Sequence, residues 1–96
     1  MTKRLAIQID RGDNVVTLVD EARAGDRVGF VTAEGRQELA ALDDVPFGHK
    51  VAVRAIAAGE PVVKYDEPIG RASRAIRAGE HVHVHNVDSA VQGGAK

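Results

Sequence analysis

His81, His83 and His85 stand at every second position of the run HVHVHN, with Val82 and Val84 between them and Asn86 at its end. An imidazole ionises near neutral pH, gives or takes a proton there, and ligates divalent metals. In an extended segment alternate side chains leave on opposite faces. The spacing therefore predicts both valines inward and the three imidazoles on one outer face, neighbours roughly 6–7 Å apart. Two rings at that spacing can converge on one metal or one carboxylate. A straight strand spreads the outer pair, so one of the three stands aside. A solvated strand face is the competing reading, because short motifs match by chance. Asn86 both donates and accepts, which suits fixing an imidazole or a substrate hydroxyl.

The remaining histidine, His49, sits beside Lys50 in PFGHK, where a glycine-containing loop runs into a strand. Such junctions hold reactive groups accessibly on a rigid scaffold, although a surface lysine beside a partly buried histidine has the same sequence. In VKYDEPIGRAS, Lys64 and Tyr65 leave on opposite faces of a strand. Lys64 can bind a carboxylate, or act as a base if burial lowers its pKa. Tyr65 is expected to be packed with its hydroxyl bonded. Arg71 and Arg74 offer grips for an anion.

The elements that must position these groups are short. Arg4–Ile9 is expected to be a first strand with Leu5, Ile7 and Ile9 on one face. Asp13 then N-caps a helix over NVVTLVDEARAG, with Val15, Val16, Leu18 and Val19 as its stripe and Gly25 at its end. RVGFVTAEGRQELAAL is a hairpin turning at Glu34-Gly35. HKVAVRAI, PVVKYD, IGRASRAI and HVHVHNV follow as strands. Pro61 places the start of the second of these at an edge or where no ladder bond is needed. RAIAAGEPVVKY, residues 54–65, is echoed by RAIRAGEHVHVH, residues 74–85, and more weakly by EARAGDRVGFV from Glu21. In each, a glycine (Gly25, Gly59, Gly79) is placed to supply a positive φ. The acid after it (Asp26, Glu60, Glu80) is placed to bond local amides. The fold class is therefore mainly β with one short helix, a single domain over residues 4–88 with a flexible tail over 89–96.

Ninety-six residues suffice for one modest core, which leaves room for a homodimer or a partner chain. Thirteen basic residues against fourteen acidic ones leave a charge of −1 and no broad footprint for nucleic acid or membrane. With no cysteine there is no disulfide frame and no thiolate metal site. The amino terminus lacks a secretory h-region and no stretch approaches a membrane span, so a cytoplasmic location is expected.

DNVVTLVDEARAGDRV together with VPFGHKVAVRAIAAGEPVVKYDEPIGRASRAIRAGEHVHVHNV resembles the SAF-type amino-terminal domain of altronate and galactarate dehydratases. The same domain serves as the small subunit of two-subunit relatives such as sulfolactate sulfo-lyase. The likeness runs from about Ile7 to Val87. It is most specific at Gly48-His49-Lys50, Lys64-Tyr65, Ile69-Gly70 and His83-x-His85-Asn86. It implies a β-clip fold and a hydro-lyase site for a sugar acid, completed by a large subunit. The family usually has an aromatic residue at His81, which marks His81 as the bystander, and often glycine at Asp66. The resemblance implies His49, Lys50, His83 and His85 as catalytic residues: His83 and His85 as ligands of Fe2+ or Mn2+ or as acid/base groups, joined by His49, and Lys50 with Lys64 holding the carboxylate. It implies Lys64, Asn86 and Arg71 as substrate contacts. The alternatives are a sulfolactate sulfo-lyase subunit and a non-catalytic module that binds a small ligand or carbohydrate.

Overall fold

The computed structural model describes residues 3–8, 12–32 and 35–89. Nine strands run through them: β1 Lys3–Ile7, β2 Val15–Leu18, β3 Arg27–Thr32, β4 Gly35–Ala40, β5 Lys50–Ala52, β6 Pro61–Lys64, β7 Glu67–Ala72, β8 His81–Val82 and β9 Val87–Ser89. One sheet has the order β4-β3-β1-β2-β5-β8 and the other β6-β7-β9. The expected hairpin is β3–β4, in register from Arg27↔Ala40 to Thr32↔Gly35. Pro61 opens an edge strand, as its missing N–H requires. Leu5 and Ile7 do share a face of β1, and it is the solvent face. Ile9, Glu34 and residues 90–96 of the expected tail lie outside the described residues.

The short helix is not there. Among the described residues there is no helix, and residues 15–18 form β2 between β1 and β5. Val15, Val16 and Leu18 are all buried, because this central strand is covered on both sides. Burial on both faces gives a continuous apolar run, which imitates a helical stripe. The β-branched Val15-Val16-Thr17 favours the extended form.

Asp13, expected as the helix cap, caps a turn far along the chain. Its carboxylate accepts from the backbone N–H of Tyr65 (3.1 Å) and of Asp66 (2.9 Å). Both residues are left-handed, with φ of 58° and 60°, so the β6–β7 turn holds a conformation costly for a tyrosine. Next to it, Asn14 donates to the Pro61 carbonyl and accepts from Val63 N–H, tying β6 to the start of β2.

The sequence echo is a structural repeat with four copies. Each is a bridge residue, a connecting residue, two turn residues ending in a left-handed glycine and one further residue, followed by a strand: Ala22–Asp26, Val45–His49, Ile56–Glu60 and Ile76–Glu80. The copies pair by isolated bridges, Ala22 with Val45 and Ile56 with Ile76. Each loop clamps the residue four before the bridge residue of its pair mate. Gly25 N–H and Asp26 C=O hold Ala41, and Gly48 and His49 hold Leu18. Gly59 and Glu60 hold Ala72, and Gly79 and Glu80 hold Ala52. Every strand following a loop buries a valine: Val28, Val51, Val62 and Val82. Two cores result. One surrounds Leu18, Val28 and Val45, the other Ile56, Val62 and Ile76, with β2 and β5 contributing to both.

Candidate functional site

Pairing of β5 with β8 sets Lys50 opposite Val82 and Val51 opposite His81. That register brings the loop ending in His49 against the run beginning at His81. Asp43, in the approach to the His49 loop, accepts the His81 backbone N–H at 3.0 Å. Leu42 N–H bonds the Gly79 carbonyl at 2.8 Å. Two repeat loops from different pairs are thus fastened side by side, each delivering an imidazole.

The expected strand across the histidines ends after two residues. Val82 is buried as anticipated, but Val84 is 81% exposed. Asn86 is the cause. It is fully buried, donates through Nδ2 to the His81 carbonyl (2.8 Å) and accepts through Oδ1 from the His83 N–H (3.0 Å). Its own N–H closes the turn on the His83 carbonyl. Alternation stops at Val82, so the imidazoles are arranged by a turn rather than a strand face. With both ends of its amide on backbone groups, Asn86 shapes the turn.

The rings that converge are His49, His81 and His83, whose ligating nitrogens lie within 4.8 Å of one another. His49 Nδ1 and His81 Nε2 share a hydrogen bond of 2.9 Å, which requires one ring to donate and the other to accept. His49 and His83 stack with centroids 4.2 Å apart. His81, expected as the bystander, is at the centre. His85, expected to pair with His83, instead lies 5.2 Å from the His81 ring and outside the converging trio.

Burial lowers the pKa of His81, and the neighbouring charges of His49, His85 and His83 lower it further, with Asp43 opposing. Lost hydration lowers that of His83, reinforced by His49, Lys50 and His85. Neutral rings present basic nitrogens at pH 7, able to accept a proton or ligate a metal. Lys50 is held below the ordinary lysine value by burial and then by the charge of Lys64. Lys50 lines an open groove of about 230 Å³ with Ile69, Val82, His83, Val84 and Val87. Lys64 reaches over the Tyr65 ring, 4.9 Å from its centroid. Tyr65, expected to be packed, is 59% exposed at the tip of its turn. Arg71 donates to the Gly59 carbonyl at 2.9 Å and takes no place in the groove lining.

The donor set is three imidazoles with no carboxylate among them, which suits a divalent ion of borderline softness better than Mg2+ or Ca2+. Asp43 and Asn86 fix the segments that carry the rings. No pattern in the residues around Asp43 points to its role. The Asn86 amide, three residues after His83, is a readable turn signal.

Residues 4–90 match the family described as the altronate/galactarate dehydratase SAF domain. The chain is 45% identical over 74 residues to the (2R)-sulfolactate sulfo-lyase subunit alpha of Chromohalobacter salexigens, covering 75% of this chain and 79% of that one. The corresponding subunit of Paracoccus pantotrophus is 50% identical over 48 residues, half of this chain and 72% of its own. Altronate dehydratase of Bacillus subtilis is 38% identical over 80 residues, 83% of this chain but only 15% of the enzyme.

Proposed function

Because the chain belongs to the altronate/galactarate dehydratase SAF-domain family, we propose that it is the small subunit of a lyase acting on a 2-hydroxy acid, with a large subunit completing the site. Two kinds of relative support a larger partner. One is named a subunit alpha, and in the other the matched region is 15% of the enzyme. The observation that carries the reading is the open trio of His49, His81 and His83 beside the half-buried Lys50.

Both relatives' names describe an elimination, of water or of sulfite. A base removes the proton from the carbon bearing the carboxylate. The C–H pair becomes the C=C bond of an enol, and the C–O or C–S bond breaks with its electrons leaving on the departing group. Negative charge grows on the substrate carboxylate as an enediolate, so the site must place cations there. Lys50 and Lys64 hold that carboxylate. A neutral imidazole of the trio takes or returns the proton, a role suited to groups that titrate near neutral pH. Alternatively, the three rings together would hold a divalent ion such as Fe2+ or Mn2+, which would supply Lewis-acid stabilisation of the same charge in place of the proton transfer.

A sugar acid such as altronate or galactarate is one substrate reading. Loss of sulfite from sulfolactate is the other, favoured by 45% identity to that relative against 38% to the Bacillus subtilis altronate dehydratase. The chain is to be co-expressed with a large lyase subunit from the same genome. The complex is then assayed on altronate, galactarate and (2R)-sulfolactate with Mn2+ or Fe2+. Turnover that falls at least about a hundredfold in His49→Ala, His81→Ala and His83→Ala supports the reading. Wild-type turnover in all three variants removes the trio from catalysis, and failure to bind any large subunit leaves a ligand-binding module.

A further inference from the structure

In three of the four repeat loops the residue after the glycine caps its own turn. The Asp26 carboxylate accepts from Arg23 N–H at 2.9 Å. Glu60 accepts from Ala57 N–H at 2.7 Å, and Glu80 from Arg77 N–H at 2.7 Å. An arginine six residues before each glutamate closes on it as well, Arg54 on Glu60 and Arg74 on Glu80, both at 3.6 Å. The fourth loop keeps the backbone of the others. Its bridge residue is Val45, its glycine Gly48 is left-handed, and His49 N–H bonds the Pro46 carbonyl as the acids' N–H groups bond their own residues three back. Only the side chains differ. The position that elsewhere offers the capped N–H is Pro46, which has none, and the position that elsewhere supplies the carboxylate is His49.

We propose that Pro46 is the residue that frees His49 for the imidazole trio. Without an N–H at position 46, the side chain at 49 has no cap to make. A carboxylate there would find no N–H to cap, whereas an imidazole is at liberty to turn outward onto His81 and His83. The loop is held by its other bonds, those of Gly48 and His49 to Leu18 and of Val45 to Ala22. Pro46 is therefore a positioning residue, and His49 is a site residue by release from a structural task that its three counterparts perform. This deepens the lyase reading by assigning the origin of one imidazole. Its test does not depend on turnover, so either idea can fail alone.

The test is a double-mutant cycle on the full chain by denaturant unfolding, in which His49→Ala and His49→Asp are each made with Pro46 kept and with Pro46→Ala. With Pro46 kept, His49→Asp and His49→Ala should unfold with equilibrium constants within about twofold of each other, there being no cap to gain. In the Pro46→Ala background, His49→Asp should be about fivefold or more favoured over His49→Ala, the usual effect of one capping side chain. Glu60→Ala provides the reference, with a loss of similar size. A second readout concerns the imidazole itself. In Pro46→Ala with His49 retained, the new N–H competes for Nδ1, and long-range 1H–15N spectra at one alkaline pH should show the His49 ring nitrogens moved while those of His85 stay. Equal behaviour of His49→Asp and His49→Ala in both backgrounds, or unmoved His49 nitrogens, overturns the proposal.

Discussion

Truncating Asn86 should disturb stability and site together. The side chain is fully buried and links the His81 carbonyl to the His83 N–H. Removing it in Asn86→Ala deprives two backbone groups of their partners. A deserted buried group costs about 1–3 kcal/mol, but the His83 end borders solvent and regains water, so the sum is about 2–4 kcal/mol. In a domain of this size that lowers Tm by about 10–25 °C. Asn86→Asp keeps the acceptor for His83 N–H but sets a carboxylate against the His81 carbonyl. At pH 7 it should be at least as damaging as alanine, and less so once acid protonates it. Urea melts give the energies, and the Co2+ absorption of the same samples reports whether the imidazole trio survives. A loss below about 1 kcal/mol in Asn86→Ala would refute the view that this amide builds the turn.

Other consequences are open to the same measurements. Asp66→Gly should stabilise the chain by up to about 1 kcal/mol in urea, because glycine tolerates the φ of 60°. Gly79→Ala should lose clearly more than Gly59→Ala. Both carry the left-handed penalty of about 1–2 kcal/mol, but a Cβ at 79 also meets the Ala40 carbonyl oxygen while that at 59 meets open space. The folded state holds the pKa of His81 below its ordinary 6.5, so the unfolded chain binds the proton more readily. With chelator present, stability should therefore be full above neutrality and decline as pH falls from 7 towards 5. His81→Asn should flatten that decline, and an unchanged slope would assign it elsewhere.

Much of this architecture is legible in the sequence because turn chemistry is local. Gly25, Gly59 and Gly79 with their following acids can be recognised from residue type alone, as can the edge position of Pro61. Membership of the trio is less legible. His83 and His49 follow from residue type and resemblance, but a strand through residues 81–85 sets one ring aside, and the family's usual aromatic residue at position 81 points to the wrong one. The alternation HVHVH fits such a strand well, and only the Asn86 side chain, acting backwards across five residues, interrupts it. The helix expected after Asp13 fails for a related reason. A central strand covered on both faces loses the period of two, and a run such as VVTLV then carries no sign of which element it is. Asp13 itself has the chemistry of a cap, but its target lies more than fifty residues away, a pairing no local pattern encodes. The fourth repeat is hidden because Phe47 and His49 stand where the others have alanine and an acid, leaving Gly48 alone of the Ala-Gly-acid signal.

The reciprocal clamping of the loops limits how this chain can be edited. Each loop is completed by backbone from its pair mate: Ala41 and Leu18 in one pair, Ala72 and Ala52 in the other. Deleting a loop, or shifting its spacing from the clamped residue that precedes its mate, opens both members at once. Insertions should be borne at the β3–β4 hairpin end, away from the clamped residues, and not at the β6–β7 turn, which Asp13 holds. Fragment swaps between homologous chains should work when they exchange a whole pair and fail when the crossover falls within one.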